Sequence, residues 1–185
     1  MDFAGKKAEM TYFTADLHFW HEKIIIHTHR PFHSVEEMNR VLQQKWNDRI
    51  SPEDDVYILG DFTMKGARIA AECLQSLRGK KHLVRGNHDH FADSAEFQQS
   101  LFVSIQDYAE ITCCNTKFVL CHYPITEWNG FYKGAVMLHG HQHNSKFYNI
   151  ENRRKGILQY DVGVDANDMA PISADEIIQF FHAKG

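Results

Sequence analysis

Five short polar clusters punctuate this sequence: DLH at 16–18, GD at 60–61, GNHD at 86–89, a histidine at 122 and GHQH at 140–143. They supply carboxylates (Asp16, Asp61, Asp89), an amide (Asn87) and imidazoles (His18, His88, His122, His141, His143), with no thiolate among them. Imidazole mixed with carboxylate and amide oxygen suits Mn, Fe or Zn better than a thiolate-clamped structural zinc or an all-oxygen calcium cage. Each cluster alone is a weak signal. DxH arises by chance, GD after a strand is a routine turn, and an isolated histidine is more often packed or solvated than a ligand. The stretch LHGHQH at 138–143 puts the question most sharply. On a regular strand His139, His141 and His143 would all face one side. That is either a solvated, histidine-rich loop or part of a metal site.

A shared position in the fold would gather these clusters. Each follows an apolar segment that reads as a strand: MTYFTA (10–15), DVYILG (55–60), HLVRG (82–86), KFVLCH (117–122) and AVMLHG (135–140). A sixth such segment is ILQYDVGV (157–164). Three amphipathic helices lie between and after them. Ser34 and Glu37 form a capping box ahead of Met38, Val41, Leu42 and Trp46. Ile69, Cys73, Leu74 and Leu77 stripe a second helix, with Gly79 at the expected C-terminal cap. Ser173 and Glu176 box a third, followed by Ile177, Phe180 and Phe181. Strands and helices interleaved in this way predict an α/β fold with helices packed outside the sheet. Ligands of such sheets gather beyond the carboxyl ends of the strands, so five strand ends can deliver their polar groups to one place. Gly60 and Gly86 directly precede two of the clusters, where glycine permits a sharp turn or a close backbone approach.

The chain has 185 residues, which fits one domain spanning 1–185 with a substantial core. Hydrophobic residues make up 43% and charged residues 24%, both ordinary for a globular protein. The net charge of −4 does not point to a dedicated nucleic-acid or membrane binder. No apolar run reaches the length of a membrane span. The opening MDFAGKKAEM has lysines but no apolar stretch behind them, so it does not read as a signal peptide. Cys73, Cys113, Cys114 and Cys121 form no CxxC pair and read as reduced thiols of a cytoplasmic protein.

The order DxH, GD, GNHD, isolated H and GHxH resembles that of the calcineurin-like metallophosphoesterase superfamily. The resemblance runs from Tyr12 to about Asp165. DLHFWHEKII (16–25) and VGVDA (162–166) are similar to the small single-domain prokaryotic and phage members. One departure is Trp20, where a small residue is expected; it bears on the site entrance, not on the chemistry. The resemblance implies a four-layer α/β/β/α sandwich with two divalent metal ions at its edge. Asp16, His18, Asp61 and His143 would hold one ion. Asp61, Asn87, His122 and His141 would hold the other, with Asp61 shared because a carboxylate has two oxygens. It implies attack on a phosphodiester or phosphomonoester by a hydroxide bridging the ions, roughly 3.5–4 Å apart in such sites. His88, next to a ligand but not one itself, becomes the general acid. Asp89 would orient His88 or brace the loop, and His139 would pack or donate a hydrogen bond behind the ligands.

Substrate contacts are less defined. His21 lies close behind the DxH motif. The segment WHEKIIIHTHRPF (20–32) could grip phosphate through Lys23 or Arg30, or could simply pack through its isoleucines. Trp128 and Phe131 in YPITEWNGFYKG (123–134) are better read as core cover than as stacking surfaces for a base. Arg85 would steer anions or solvate a strand end. Most of the other histidines read as surface residues. The expected substrate is a small phosphate ester or nucleotide. A nuclease is the first alternative; nucleic acid stays open as a substrate but is not favoured, given the acidic balance. A non-catalytic scaffold on the same fold and a metal-storage protein are the others.

Overall fold

The computed structural model describes residues 8–183. Residues 1–7, which carry most of the opening read above as no signal peptide, lie outside the described residues, as do 184–185. From the N-terminal side the elements are β1 (Thr11–Thr14), α1 (Glu22–His27), α2 (Val35–Arg49), β2 (Asp55–Ile58), α3 (Ala67–Ser76), β3 (Lys80–Val84) and β4 (Ser104–Gln106). There follow β5 (Ala109–Cys113), β6 (Thr116–Leu120), β7 (Val136–His139), α4 (Lys146–Arg154), β8 (Gln159–Asp161), β9 (Ile172–Ser173) and α5 (Ala174–His182).

Side chains alternate across each strand, and that alternation builds the layers. The first sheet has the order β4-β3-β2-β1-β9 and is parallel except for β9. The second has the order β5-β6-β7-β8, with only β5 antiparallel to its neighbour. On β1 and β2, Tyr12, Val56 and Ile58 pack with Met38, Leu42 and Trp46 of α2 and with Ala70 and Leu74 of α3. Phe13 and Leu59 turn the other way, to Phe118, Leu120 and Leu138 of the second sheet; the Phe13 and Phe118 rings lie 5.2 Å apart. Val119 and Met137 face outward from that second sheet, under Trp128 and Ala135. The result is the α/β/β/α sandwich. Its fourth layer combines α4, packed along β8, with the 123–134 loop, where the buried Trp128 donates from Nε1 to the Ala135 carbonyl (2.9 Å).

Local signals hold with two adjustments. The α5 box is complete, Ser173 and Glu176 bonding reciprocally. At α2 Ser34 accepts from the Glu37 amide, but the Glu37 carboxylate reaches the His33 amide instead of Ser34. Gly79 is not the α3 cap. Leu77 occupies that position, and Gly79, at φ +91°, makes the turn into β3. Among the described residues no helix is long and apolar enough to cross a membrane.

Candidate metal centre

Because β1, β2 and β3 run parallel in one sheet and β6, β7 and β8 in the other, six carboxyl ends open on the same edge. A bridge between Ala15 and Gly163, with the Val164 amide on the Ala15 carbonyl (3.1 Å), ties the two sheets together there. The chain then leaves the strands in a strained way. Asp16, His18, Asp61, His141 and His143 all have φ between +49° and +70°. Left-handed backbone is unfavourable for side chains other than glycine, costing of order 1–3 kcal/mol each, and persists only where surrounding structure enforces it. This also resolves LHGHQH. The strand ends at His139, so the three histidines do not share one direction.

Two groups result. In the first, ligand atoms of Asp16, His18 and His143 lie within 4.8 Å of one another; in the second, those of Asp61, His122 and His141 do. Asp61 Oδ2 sits between the groups, 3.6 Å from His18 Nε2 and 3.6 Å from His122 Nε2. Asn87 Oδ1 lies 3.0 Å from His122 Nε2. All seven ligands expected from the sequence therefore converge. Two glycines allow the convergence. A Cβ at position 86 would stand 2.3 Å from Asp61 Oδ1, and one at 140 would stand 2.4 Å from Asp16 Oδ2.

The donor set fits cations. His122 Nδ1 donates to the Leu59 carbonyl (2.8 Å) and His143 Nδ1 to Asp165 Oδ2 (2.8 Å). With Nδ1 so engaged, His122 Nε2 faces Asn87 Oδ1 (3.0 Å) and His143 Nε2 faces His18 Nε2 (3.3 Å). Burial holds the His18 imidazole down to about 2 and lowers that of His122, so both are neutral and able to ligate. Burial, together with the charges of Asp161 and Asp61, pushes the Asp16 carboxyl well above its ordinary range. Buried carboxylates that repel one another beside free imidazole lone pairs are the environment a divalent ion relieves.

Around the groups, the expected helpers separate. His88 lies at the mouth, about one-third exposed, with Nε2 4.0 Å from Asp61 Oδ2 and its amide on Asp61 Oδ1 (3.0 Å). Asp89 braces the loop: its carboxylate accepts from the amides of Asp61, Phe62 and Gly86 at 2.8–2.9 Å. His21 is on the rim, Nδ1 3.4 Å from His18 Nδ1. Lys23 is exposed on α1. Arg30 is a correction. Its side chain is fully buried and bound to Asp165, so it cannot grip a substrate phosphate. His139 is buried and bonds the Gly140 carbonyl and Tyr148, away from both groups. Trp20 shares a shallow cleft with Asn39, Gln43 and Cys73 on the helix side. Arg85 pairs with Asp93 and Asp107.

A family model described as the calcineurin-like phosphoesterase superfamily domain matches residues 13–163. The chain belongs to this superfamily. An uncharacterized protein of Methanocaldococcus jannaschii is 33% identical over 173 residues, covering 91% of this chain and 89% of the relative. The gene 66 protein of Mycobacterium phage D29 is 28% identical over 195 residues, covering 90% and 92%. A solved structure of a protein of unknown function from Aquifex aeolicus superposes with a TM-score of 0.72 at 28% identity, covering 93% of this chain and 99% of that one. All three match this chain over nearly their whole lengths.

Two acids were missed in the sequence. Asp161, fully buried, accepts from Asn144 and from the Gly163 amide, and Asp165 holds His143. The signal was available: DVGVD carries two acids at a sixth strand end, after the five that were read. Tyr123 was missed too. Its exposed ring stands edge-on to His141 and His122, at 4.6 and 5.0 Å, and nothing in the sequence marks it.

Proposed function

We propose that this chain is a phosphoesterase dependent on two divalent metal ions, hydrolysing a phosphodiester or phosphomonoester. The observation that carries this reading is the pair of adjacent three-residue groups, with Asp61 Oδ2 of the second 3.6 Å both from His122 Nε2 in its own group and from His18 Nε2 in the first. In this role Asp16, His18 and His143 would hold one ion, His122, His141 and Asn87 would hold the other, and Asp61 would serve both. Two such ions, Mn, Fe or Zn, would supply a water-derived nucleophile at neutral pH and neutralise the phosphate oxygens. The rest falls to the protein. Asp89 fixes the Asp61 turn by three backbone bonds, so the shared carboxylate keeps its place. His88 stands at the open side of Asp61, where it can give a proton to the departing oxygen. His21 on the same rim is positioned to contact the substrate. The exposed His141 and partly exposed His88 favour a small phosphate ester or nucleotide that reaches the site from solvent.

The test is a substrate panel on metal-reconstituted protein: bis-nitrophenyl phosphate, nitrophenyl phosphate, cyclic nucleotides and single-stranded DNA. Turnover of small esters that disappears with chelator is the expected result. Activity on DNA alone would replace this reading with a nuclease. Metal binding without any turnover would make the chain a scaffold.

A further inference from the structure

Behind the first ligand group lies a buried ion pair. Arg30, 4% exposed, meets Asp165 in two-pronged fashion, Nε to Oδ1 at 2.9 Å and an Nη to Oδ2 at 2.8 Å. The guanidinium also donates to the carbonyls of Asp16 (2.7 Å) and Leu17 (3.1 Å). Asp165 Oδ2 accepts from His143 Nδ1 at 2.8 Å. Two side chains, 135 positions apart, thus tie the turn carrying Asp16 and His18 to the imidazole of His143.

Stability is a poor explanation for such a pair. Desolvating two charges offsets most of their attraction, and apolar replacements of similar volume are often neutral or better. What the pair holds explains it better. Asp16, His18 and His143 all sit in left-handed backbone, at φ +56°, +50° and +49°, conformations that need external support. The rigid fork of a guanidinium gives that support to two consecutive carbonyls while reading a carboxylate side-on. The carboxylate in turn selects the His143 tautomer with its proton on Nδ1. That turns the Nε2 lone pair toward His18 Nε2 (3.3 Å) and Asp16 Oδ1 (4.0 Å).

We infer that Arg30 and Asp165 are a positioning pair for the first metal group, fixing the Asp16–His18 turn and the tautomer and direction of His143. The inference rests on the metal-dependent reading above and extends it to two residues outside the ligand set. Carboxylates and carbonyls that orient ligating histidines typically change metal affinity by about 10–100-fold when lost.

Two measurements test it. In metal-free wild-type protein at neutral pH, ¹⁵N chemical shifts of His143 should show the Nδ1–H tautomer. An Nε2–H tautomer overturns the inference, and this reading needs no variant, so it decides the matter should a variant fail to fold. Calorimetric titration with Mn²⁺ then compares wild type with Arg30→Met/Asp165→Asn and Arg30→Met/Asp165→Leu. Both variants remove the ion pair, but only asparagine keeps an acceptor for His143. The leucine variant should weaken one of the two binding events about 10–100-fold and leave the other unchanged, with the asparagine variant between. Equal affinities in all three proteins overturn the inference while leaving the metal reading intact. A wild type that binds no Mn²⁺, Zn²⁺ or Fe²⁺ overturns both.

Discussion

His88 follows the ligand candidate Asn87 in the chain and His139 stands two positions before the candidate His141, and the structure gives them opposite surroundings. His88 is partly exposed at the mouth of the site, and His139 is buried against Tyr148. The consequences differ accordingly. His88→Asn should keep both ions and lose rate in a way that depends on the leaving group. A general acid contributes about 10²–10⁴-fold, most where the departing oxygen is basic. The loss in kcat/KM should therefore be far larger on an alkyl or nucleoside ester than on a nitrophenyl ester; an equal loss on both would reject the acid role. His139→Gln should retain both ions and most activity, whereas His141→Gln and His143→Gln lose metal and activity together. Bound metal per chain after dialysis separates these cases. At this scale residue type was legible: imidazoles, carboxylates and an amide at strand ends identified the ligand candidates. Burial was not, because nothing local in the sequence distinguishes Arg30, bound to Asp165 across 135 positions, from an arginine reaching for phosphate.

At the scale of elements, nine segments were readable, the strands β1, β2, β3, β6, β7 and β8 and the helices α2, α3 and α5, because an apolar strand run, an apolar stripe or a capping box marked them. The short strands β4, β5 and β9 and the helices α1 and α4 were not. α4 shows why. Its buried side chains are Asn149 and Asn152, and it docks through amide hydrogen bonds: Asn149 Nδ2 to the Asp161 carbonyl (3.0 Å) and the Asp161 amide to Asn149 Oδ1 (2.7 Å). A helix held by polar side chains leaves no hydrophobic period to detect. β9 is two residues long and α1 is six, too short for a pattern. The turns after the strands were only partly foreseen. Gly60 and Gly86 pointed to them, but left-handed backbone at five ligand candidates has no sequence signature. These turns are testable. Gly140→Ala places a methyl 2.4 Å from Asp16 Oδ2 and 2.5 Å from Ala15 Cβ. It should lower stability by about 1–3 kcal/mol, as overpacking typically does, and weaken metal binding as well. Denaturant unfolding with and without Mn²⁺ reads both effects, and an alanine variant that binds metal like wild type would contradict the tight packing at this turn.

The whole molecule brings six strand ends from two sheets to one edge, and most of what meets there is carboxylate or imidazole. Asp16, Asp61 and Asp161 are each at most 2% exposed. Divalent ions bound only by the folded state should then stabilise it. At a free concentration about 100 times the dissociation constant, one site adds about 2.7 kcal/mol. For a chain of this length that corresponds to a rise in Tm of about 5–10 °C, and chelator should reverse it. The central claim is narrower than stability: seven side chains from two sheets hold two ions, with Asp61 common to both. Elemental analysis of bound metal per chain after dialysis, on wild type, Asn87→Ala and Asp61→Asn, tests it most directly. Two ions in wild type, a loss confined to one ion in Asn87→Ala and depletion of both in Asp61→Asn are the predicted results. Wild-type protein that retains no ion, or Asp61→Asn protein that retains both as tightly as wild type, would contradict it.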